Sequence, residues 1–197
     1  LTLPRELAIV KGVFRKQNFQ TGNLMSTLHK KASLLSALAL GLGMSTLASA
    51  ADQPTLDVVT DPSFVPFEMM DTDSGQMVGF DIDIINEVAD RAGFDVNLNT
   101  MDFNGIIPAI QTGNVDIAIA GITITDERSE IVDFSDPYYD SGLRIMVAAD
   151  DDSISTIDDL AGKTIGTKIG STSYDYLTEN LGDEATITPY PGSSDMY

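Results

Sequence analysis

The sequence has no cysteine and a single histidine, His29, which excludes several kinds of chemistry. Without cysteine there are no disulfides, no thiol nucleophile and no cysteine-ligated zinc. His29 lies in a segment that we expect to be removed, so histidine catalysis and histidine-ligated metals are excluded from the remainder. An enzyme on this chain would have to use carboxylates, lysine, tyrosine or hydroxyl groups. We expect neither a metal nor a cofactor.

Basic residues are also scarce. The part of the chain after Ala50 has 29 acidic residues and five basic ones, a net charge of −24. The five are Arg91, Arg128, Arg144, Lys163 and Lys168. Such a surface repels nucleic acid and anionic membranes, so we exclude both as partners. Most of the acidic residues fit a role in solubility or adaptation to a salt-rich habitat, and Asp150 to Asp152 indicate a solvated turn rather than a metal site.

Residues 25–50 have the pattern of a secretory signal peptide. Met25 is followed by Lys30 and Lys31, then by an apolar run over residues 32–47 and the tripeptide Ala-Ser-Ala. This pattern predicts cleavage after Ala50 and export to the periplasm. The alternative is a membrane anchor, but the run is shorter than the roughly 20 residues that a spanning helix needs. We interpret residues 1–24 as upstream, non-native sequence and exclude them from the fold.

The exported part alternates short apolar runs with amphipathic runs, as parallel β-α-β units do. Strands are predicted at 56–60, 94–98, 115–120, 143–149, 163–167 and 185–190. Asp81 is the expected N-cap of a helix with an apolar face of Ile85, Val88, Ala89 and Ala92, which Gly93 ends. Further helices are predicted at 106–112, with Pro108 in the first turn, at 156–160 and at 172–181.

This alternation predicts two α/β lobes. Residues 51–137 form the first lobe, 138–142 a hinge crossover and 143–197 a second lobe. The pattern stops at Tyr197 where a new element should begin, so we expect a second lobe that is incomplete and lacks its return to the first.

Polar and aromatic residues follow the predicted strands, where open α/β sheets bind their ligands. Asp61 and Phe64 follow the first strand and Phe103 follows the second; both rings fit either a ligand wall or the core. Gly121, Thr123 and Arg128 come after the third. A guanidinium binds a carboxylate through two parallel hydrogen bonds, although a surface ion pair with a nearby acid, at 126, 127 or 130, is the alternative.

The predicted second lobe has an anion-binding corner. Lys168, Ser171 and Thr172 lie between a strand and the start of a helix, where amides and hydroxyls face an anion. The turn lacks the spacing of a phosphate-binding P-loop, so a nucleotide is not expected.

Several of these segments resemble the polar amino-acid-binding proteins of ABC importers. The resemblance rests on Gly-Phe-Asp-Ile-Asp-Ile-Ile-Asn-Glu-Val-Ala at 79–89, Met-Asp-Phe-Asn-Gly-Ile-Ile-Pro-Ala-Ile-Gln at 101–111, Ala-Gly-Ile-Thr-Ile-Thr-Asp-Glu-Arg at 120–128 and Asp-Phe-Ser-Asp-Pro-Tyr-Tyr at 133–139. These motifs look closest to the glutamine-binding member. Gly-Ser-Thr at 170–172 departs from it, since that member has Gly-Thr-Gly there.

The resemblance implies a two-lobed, type II periplasmic-binding fold, truncated in its second lobe, that closes on one amino acid. By position, Arg128 would bind the α-carboxylate with the amides of Thr123 and Thr172, while the Gly121 carbonyl and Thr123 hydroxyl would take the α-ammonium. Phe64 and Phe103 would enclose the stem of the ligand's side chain. Asp61 and Lys168 would lie near its amide, with Ser171 beside them.

The implied function is an exported receptor, not an enzyme, that delivers a polar amino acid, glutamine foremost, to ABC permease subunits. We expect a monomer. Because the family's remaining ligand contacts would lie beyond Tyr197, we expect residues 51–197 alone to bind poorly. The alternatives are an exported enzyme on this scaffold, similar to a cyclohexadienyl or arogenate dehydratase, and a receptor's sensory domain.

Overall fold

The computed structural model describes residues 6–11 and 53–196. Its strands are β1 (Glu6–Lys11), β2 (Thr55–Thr60), β3 (Ser63–Phe64), β4 (Glu68–Met70), β5 (Met77–Val78), β6 (Asp95–Thr100), β7 (Ile117–Thr123), β8 (Asp133–Phe134), β9 (Tyr139–Asp140), β10 (Thr164–Lys168) and β11 (Thr186–Tyr190). Its helices are α1 (Phe80–Ala92), α2 (Phe103–Thr112), α3 (Asp126–Ser129) and α4 (Thr172–Leu181), with 3-10 turns at Asp158–Leu160, Gly182–Glu184 and Ser193–Asp195.

A six-stranded sheet organises the first part of the chain. Its order is β6-β2-β7-β1-β8, and β9 also pairs with β1. Strand β2 is parallel to both β6 and β7, and α1 and α2 connect these strands. The predicted parallel β-α-β units are therefore confirmed. Two smaller sheets accompany it: antiparallel β3-β4-β5, and parallel β10-β11 with α4 between its strands.

The large sheet is covered on both faces. Neighbouring side chains of a strand point to opposite faces, so Val58 and Val59 of β2 enter different clusters. Val58 packs with Ile85 of α1. Val59 packs with Ile106 and Ile110 of α2. All five side chains are buried, which fixes the register of the central strands and places their carboxyl ends at one edge.

Two details of the helices differ from the predictions. The N-cap of α1 is Gly79 rather than Asp81, which is buried in the first turn together with Ile82. Val88 is exposed, so the buried stripe is shifted toward the start of the helix. Pro108 is the sixth residue of α2 rather than part of its first turn, because the helix begins at Phe103.

The region after β9 differs more. No strand forms over residues 143–149, and Met146 in this stretch is 71% exposed. A strand needs a neighbour for its backbone groups, and none of the described residues pairs with this stretch. The predicted helix at 156–160 is reduced to the turn Asp158–Leu160. By contrast, α4 spans the predicted range and Gly93 and Gly113 end their helices as predicted.

Strand β1 differs from the prediction for the N-terminal segment. We excluded residues 1–24 from the fold, yet Glu6–Lys11 pairs antiparallel with β7 and β8 within the large sheet. The exclusion from the fold was therefore wrong for this stretch, because the side of β7 that faces away from β2 pairs with it. The predicted signal peptide at 25–50 lies outside the described residues. No helix in the described part is both long and apolar enough to cross a membrane.

Candidate functional site

A cavity of about 930 Å³ lies where the carboxyl ends of β7 and β10 meet. Seven of the nine residues predicted to bind a ligand line it: Phe64, Phe103, Gly121, Thr123, Lys168, Ser171 and Thr172. The other two, Asp61 and Arg128, lie outside its wall and contact residues that form it. The structure therefore brings together loops separated by more than 100 positions in the sequence.

Arg128 joins the end of β7 to the turn after β10, beside this cavity. Its guanidinium donates hydrogen bonds of 3.0 Å to the carbonyl of Thr123 and to the carbonyl of Gly170. Burial lowers the pKa of Arg128, while Asp175 and Glu127 act against that change. The residue is 9% exposed, so the surface ion pair considered from the sequence is wrong. Among the described residues, the other three of its five N–H groups have no acceptor.

The backbone of Arg128 is fixed by the turn that precedes it. Thr125 caps the short helix α3 by accepting the backbone N–H of Arg128 at 3.1 Å. A side-chain cap of this kind satisfies one of the amides that a helix start leaves free. The guanidinium is thus anchored at its own backbone as well as at its tip.

Asp61 and Lys168 form a buried ion pair between the loop after β2 and the end of β10. The Lys168 Nζ lies 2.7 Å from the Asp61 Oδ1. Asp61 is 1% exposed and Lys168 is 8% exposed. Asp61 also accepts hydrogen bonds from the backbone N–H groups of Ser63 and Phe103. We expected both side chains to face a ligand amide, and in this structure they neutralise each other.

The two predicted aromatic walls have different surroundings. The Phe103 ring lies 5.3 Å from the Lys168 Nζ and 5.8 Å from the Arg128 guanidinium carbon, so it separates the two cations. A positive charge placed above the face of an aromatic ring is attracted to that ring. Phe64 instead stacks on Phe67, with ring centroids 5.1 Å apart. Both rings are partly exposed and line the cavity, which leaves them available to an apolar stem.

Hydroxyl groups meet at the start of α4. Ser171 caps this helix by accepting the Tyr174 N–H, and its own hydroxyl donates to the Lys168 carbonyl at 2.6 Å. Thr172 Oγ1 lies 3.5 Å from the Thr123 Oγ1 on the opposite wall. The residues of the predicted corner therefore lie together at a capped helix start that faces the end of β7, and anion binding there stays a prediction.

Asp81 is a residue whose contribution the sequence prediction missed. Its carboxylate accepts the backbone N–H of Gly121 at 2.7 Å and the Tyr138 hydroxyl at 2.8 Å. Burial raises the pKa of Asp81, and these two donors oppose the change. Asp81 belongs to the recognised motif at 79–89, but its partners are 40 and 57 positions away, so spacing gave no sign of them.

The cavity also includes residues that we did not predict. The segment 141–148 forms much of one side, and Ser193 and Met196 close part of the other. Of these, Arg144 carries a signal that the sequence could have given, because it is one of only five cations after Ala50. Among the described residues, no cluster of acidic or histidine side chains is arranged to hold a metal ion.

The sequence pattern of the bacterial extracellular solute-binding proteins, family 3, matches residues 56–188. The chain belongs to this family. A relative within the solute-binding proteins, the lysine/arginine/ornithine-binding periplasmic protein of Escherichia coli (strain K12), is 37% identical over 151 residues, which cover 76% of this chain and 57% of the relative.

Solved structures of solute-binding proteins share the fold. An ancestral arginine-binding protein bound to arginine has a TM-score of 0.70 and 42% identity, and covers 73% of this chain and 63% of its own. An ancestral arginine-binding protein bound to glutamine has a TM-score of 0.69 and 42% identity, covering 73% of this chain and 63% of its own. The ancestral amino-acid-binding protein AncCDT-1, described as a precursor of cyclohexadienyl dehydratase, has a TM-score of 0.66 and 36% identity, covering 72% and 63% of the two chains.

These comparisons confirm the predicted family and the mixed α/β fold. They do not confirm a resemblance to the glutamine-binding member in particular, because these relatives are named for arginine, lysine or ornithine. The chain spans about half to two thirds of the length of the relatives it matches.

Proposed function

We propose that this chain is an exported solute-binding receptor that captures a polar L-amino acid in the cavity and delivers it to an ABC permease. The observation that carries the proposal is Arg128, a buried guanidinium that joins the loops after β7 and β10. Closing those loops around a ligand carboxylate would give Arg128 an anionic partner in place of neutral carbonyls. Hydrogen bonds to charged groups are worth about 1.5–3 kcal/mol, more than neutral ones.

The α-amino group has acceptors beside this anchor. The Gly121 backbone and the Thr123 hydroxyl lie on the same wall of the cavity as the carbonyl that Arg128 binds. A zwitterion therefore meets a cation and uncharged acceptors a few ångströms apart. We assign Thr123 and Thr172 to the amino-acid backbone, with Phe64 and Phe103 on its aliphatic stem.

We propose glutamine as the preferred ligand because of the ion pair between Asp61 and Lys168. Lys168 neutralises the carboxylate that a cationic side chain would otherwise bind, and it would repel an arginine or lysine ligand. A neutral amide can accept from the ammonium and donate to the carboxylate at once. The ancestral arginine-binding protein with glutamine bound supports the view that this scaffold accepts the amide.

A basic ligand is the competing assignment. It is supported by the names of relatives that bind arginine, lysine or ornithine. It requires that Asp61 leave Lys168 and turn to the ligand. The dehydratase alternative is not favoured, since the relatives are named as binding proteins.

The direct test is a titration of the whole chain, which keeps strand β1, with each of the common L-amino acids, followed by two-dimensional NMR, which also detects millimolar affinities. We expect glutamine to shift the amides of Gly121, Thr123 and Thr172 and to bind at least about tenfold more tightly than arginine. Tighter binding of arginine or lysine would overturn the choice of glutamine. If no amino acid shifts these amides, the receptor function itself is wrong.

A further inference from the structure

Two carboxyl groups lie buried behind the Gly121 wall of the cavity. Glu68 of β4 and Asp81 of α1 are each 0% exposed. Among the described residues, neither forms an ion pair with lysine or arginine. Two adjacent carboxylates without a counter-ion repel each other and lose their hydration, so they do not both ionise near neutral pH.

The hydrogen-bond donors around the two groups are unequally distributed. Asp81 accepts the Gly121 N–H at 2.7 Å and the Tyr138 hydroxyl at 2.8 Å to each of its oxygens. Within the described part of the chain, no N–H or O–H group reaches either carboxyl oxygen of Glu68. A buried carboxyl without donors is satisfied when it is protonated and donates its own O–H. The Asp81 carboxylate, on the helix that packs against β4, lies within hydrogen-bond reach of Glu68 and is the acceptor.

We propose that Glu68 and Asp81 share one proton, with the negative charge on Asp81, and that this pair positions the Gly121 peptide in the ligand cavity. The inference rests on the proposed function insofar as it concerns a ligand. Both residues are positioning residues, because neither lines the cavity.

The charges around the pair favour this distribution. Burial first, and then the Asp81 carboxylate, raise the pKa of Glu68 to about 10. The Asp61 carboxylate also raises the pKa of Glu68, and the Lys168 ammonium lowers it. Tyr138, in the segment after β8, donates its hydroxyl to the Asp81 carboxylate. Burial raises the pKa of the Tyr138 hydroxyl, so this hydroxyl keeps its proton and stays a donor. The proton belongs on Glu68 because Asp81 already has two other donors.

Gly121 needs such support because of its backbone geometry. Its φ of 53° lies in the left-handed region, which strands do not normally use. The hydrogen bond from its N–H to a charged acceptor holds this peptide orientation beside the cavity. The same carboxylate holds Tyr138, the first residue of the predicted crossover, whose ring packs near Phe80 with centroids 6.1 Å apart. One charge thereby connects the cavity wall to the segment that leads to β10.

The test measures the Gly121 amide by NMR in the wild-type chain and in three variants. Asp81→Asn removes the charge, Glu68→Gln keeps a neutral donor, and Asp83→Asn is the matched control, an exposed acid in the same first turn of α1. We expect hydrogen exchange at Gly121 to be at least about tenfold faster in Asp81→Asn and within about twofold of wild type in the other two.

The shared proton has a readout of its own that needs no variant. In the wild-type chain, the side-chain carbon resonances of Glu68 should titrate far above 4.5, and the Gly121 amide should shift in the same range. In Glu68→Gln that shift should be absent. Titration of Glu68 near 4.5, or an unchanged Gly121 amide in Asp81→Asn, would overturn the proposal.

Amino-acid binding separates this inference from the proposed function. We expect Asp81→Asn to weaken binding at least about tenfold, whereas Glu68→Gln and Asp83→Asn stay within about twofold. Weaker binding with an unchanged Gly121 amide contradicts the positioning role. If the wild type binds no amino acid, the receptor function fails, and the Gly121 amide still decides whether the pair positions this peptide.

Discussion

Arg128 is the residue on which the proposed ligand site most depends. Two of its guanidinium nitrogens donate to carbonyls on two sides of the guanidinium, those of Thr123 after β7 and Gly170 after β10. Lysine keeps the positive charge but has a single ammonium in place of a planar fork, so it cannot serve both sides in parallel. We expect Arg128→Lys to weaken amino-acid binding at least about tenfold, measured by NMR titration.

Arg91→Lys is the matched control for this change. Arg91 is an exposed cation on α1 that pairs with Glu87 one turn away. Exposed pairs of this kind are worth about 0.3–0.5 kcal/mol, so binding should stay within about twofold of wild type. Equal losses in the two variants would mean that the loss at Arg128 does not come from its two hydrogen bonds at the ligand site.

Lys168 is predicted to determine which side chain the cavity accepts. Lys168→Met removes the partner of Asp61 and leaves a buried carboxylate that a cationic ligand could neutralise. The ratio of glutamine to arginine affinity should therefore fall at least about tenfold. The free energy of unfolding of the unliganded chain should drop by about 3–5 kcal/mol, because one member of a buried pair is lost.

Lys163→Met tests whether any lysine of the cavity would do the same. Lys163 also lines the cavity, but it is exposed. Calorimetric titration with both amino acids should leave its selectivity within about twofold of wild type. If Lys168→Met retains the wild-type preference, the ion pair is not the determinant of specificity.

The sequence revealed residues whose type is rare in this chain and missed residues whose type is common. Arg128 and Lys168 were predictable because they are two of five cations after Ala50. Glu68 and Asp81 were not, because they are two of 29 acidic residues and nothing local marks them as buried. The contact of Asp81 with Gly121 comes from the packing of α1 on β7, and Glu68 lies on β4, which also packs against α1, so neither feature is encoded within a single segment.

At the scale of the element, Gly79 determines where α1 begins. Its φ is 130°, and a Cβ at this position would overlap the backbone carbonyl of Phe67. Gly79→Ala should therefore lower the free energy of unfolding by about 1–3 kcal/mol for the backbone conformation alone, with the overlap adding to it. Urea unfolding followed by circular dichroism measures this loss.

Gly75→Ala separates strain from overlap. Gly75 also has a left-handed φ, 69°, but no atom lies within 4 Å of the position that its Cβ would take. Its loss should be about 1 kcal/mol, which is the cost of the left-handed conformation alone. Equal losses for the two variants would show that the carbonyl of Phe67 moves aside readily.

Elements that local signals define were predictable, and elements that need a distant partner were not. Helix α4 begins at a serine cap and was predicted with its observed bounds. The strand expected at 143–149 has the same apolar pattern as β7 but does not form, because β7 lies between β2 and β1 while that stretch has no pairing among the described residues. Apolar periodicity indicates that a segment can be a strand, and its neighbours decide whether it is one.

For the whole molecule, the parallel topology follows from the alternation of elements, whereas β1 shows the limit of that reasoning. Glu6–Lys11 completes the sheet beside β7, although more than 40 residues separate it from β2. Strand pairing at an edge depends on backbone groups and leaves little trace in the sequence. Residues 1–24 as upstream sequence and 25–50 as a signal peptide therefore stay predictions about processing.

The pH dependence of stability tests the buried pair in the folded chain as a whole. The pKa of Glu68 is raised from 4.5 to about 10, so the folded chain binds more protons than the unfolded chain between these values. The stabilisation from protonated Glu68 is complete below the unfolded-state pKa and is lost as the pH rises toward the folded-state pKa. Glu68→Gln, which is neutral throughout, should gain stability relative to wild type as the pH rises.

Urea unfolding at several pH values across the neutral range measures this difference. The gain should approach about 1.4 kcal/mol per pH unit between the unfolded-state and the folded-state pKa of Glu68. Glu87→Gln is the control, because Glu87 is exposed on the same helix as Asp81. The free energy of unfolding of this variant should change with pH in parallel with that of the wild type. Parallel curves for Glu68→Gln and wild type would mean that Glu68 is ionised in the folded chain, and the singly charged pair would then be wrong.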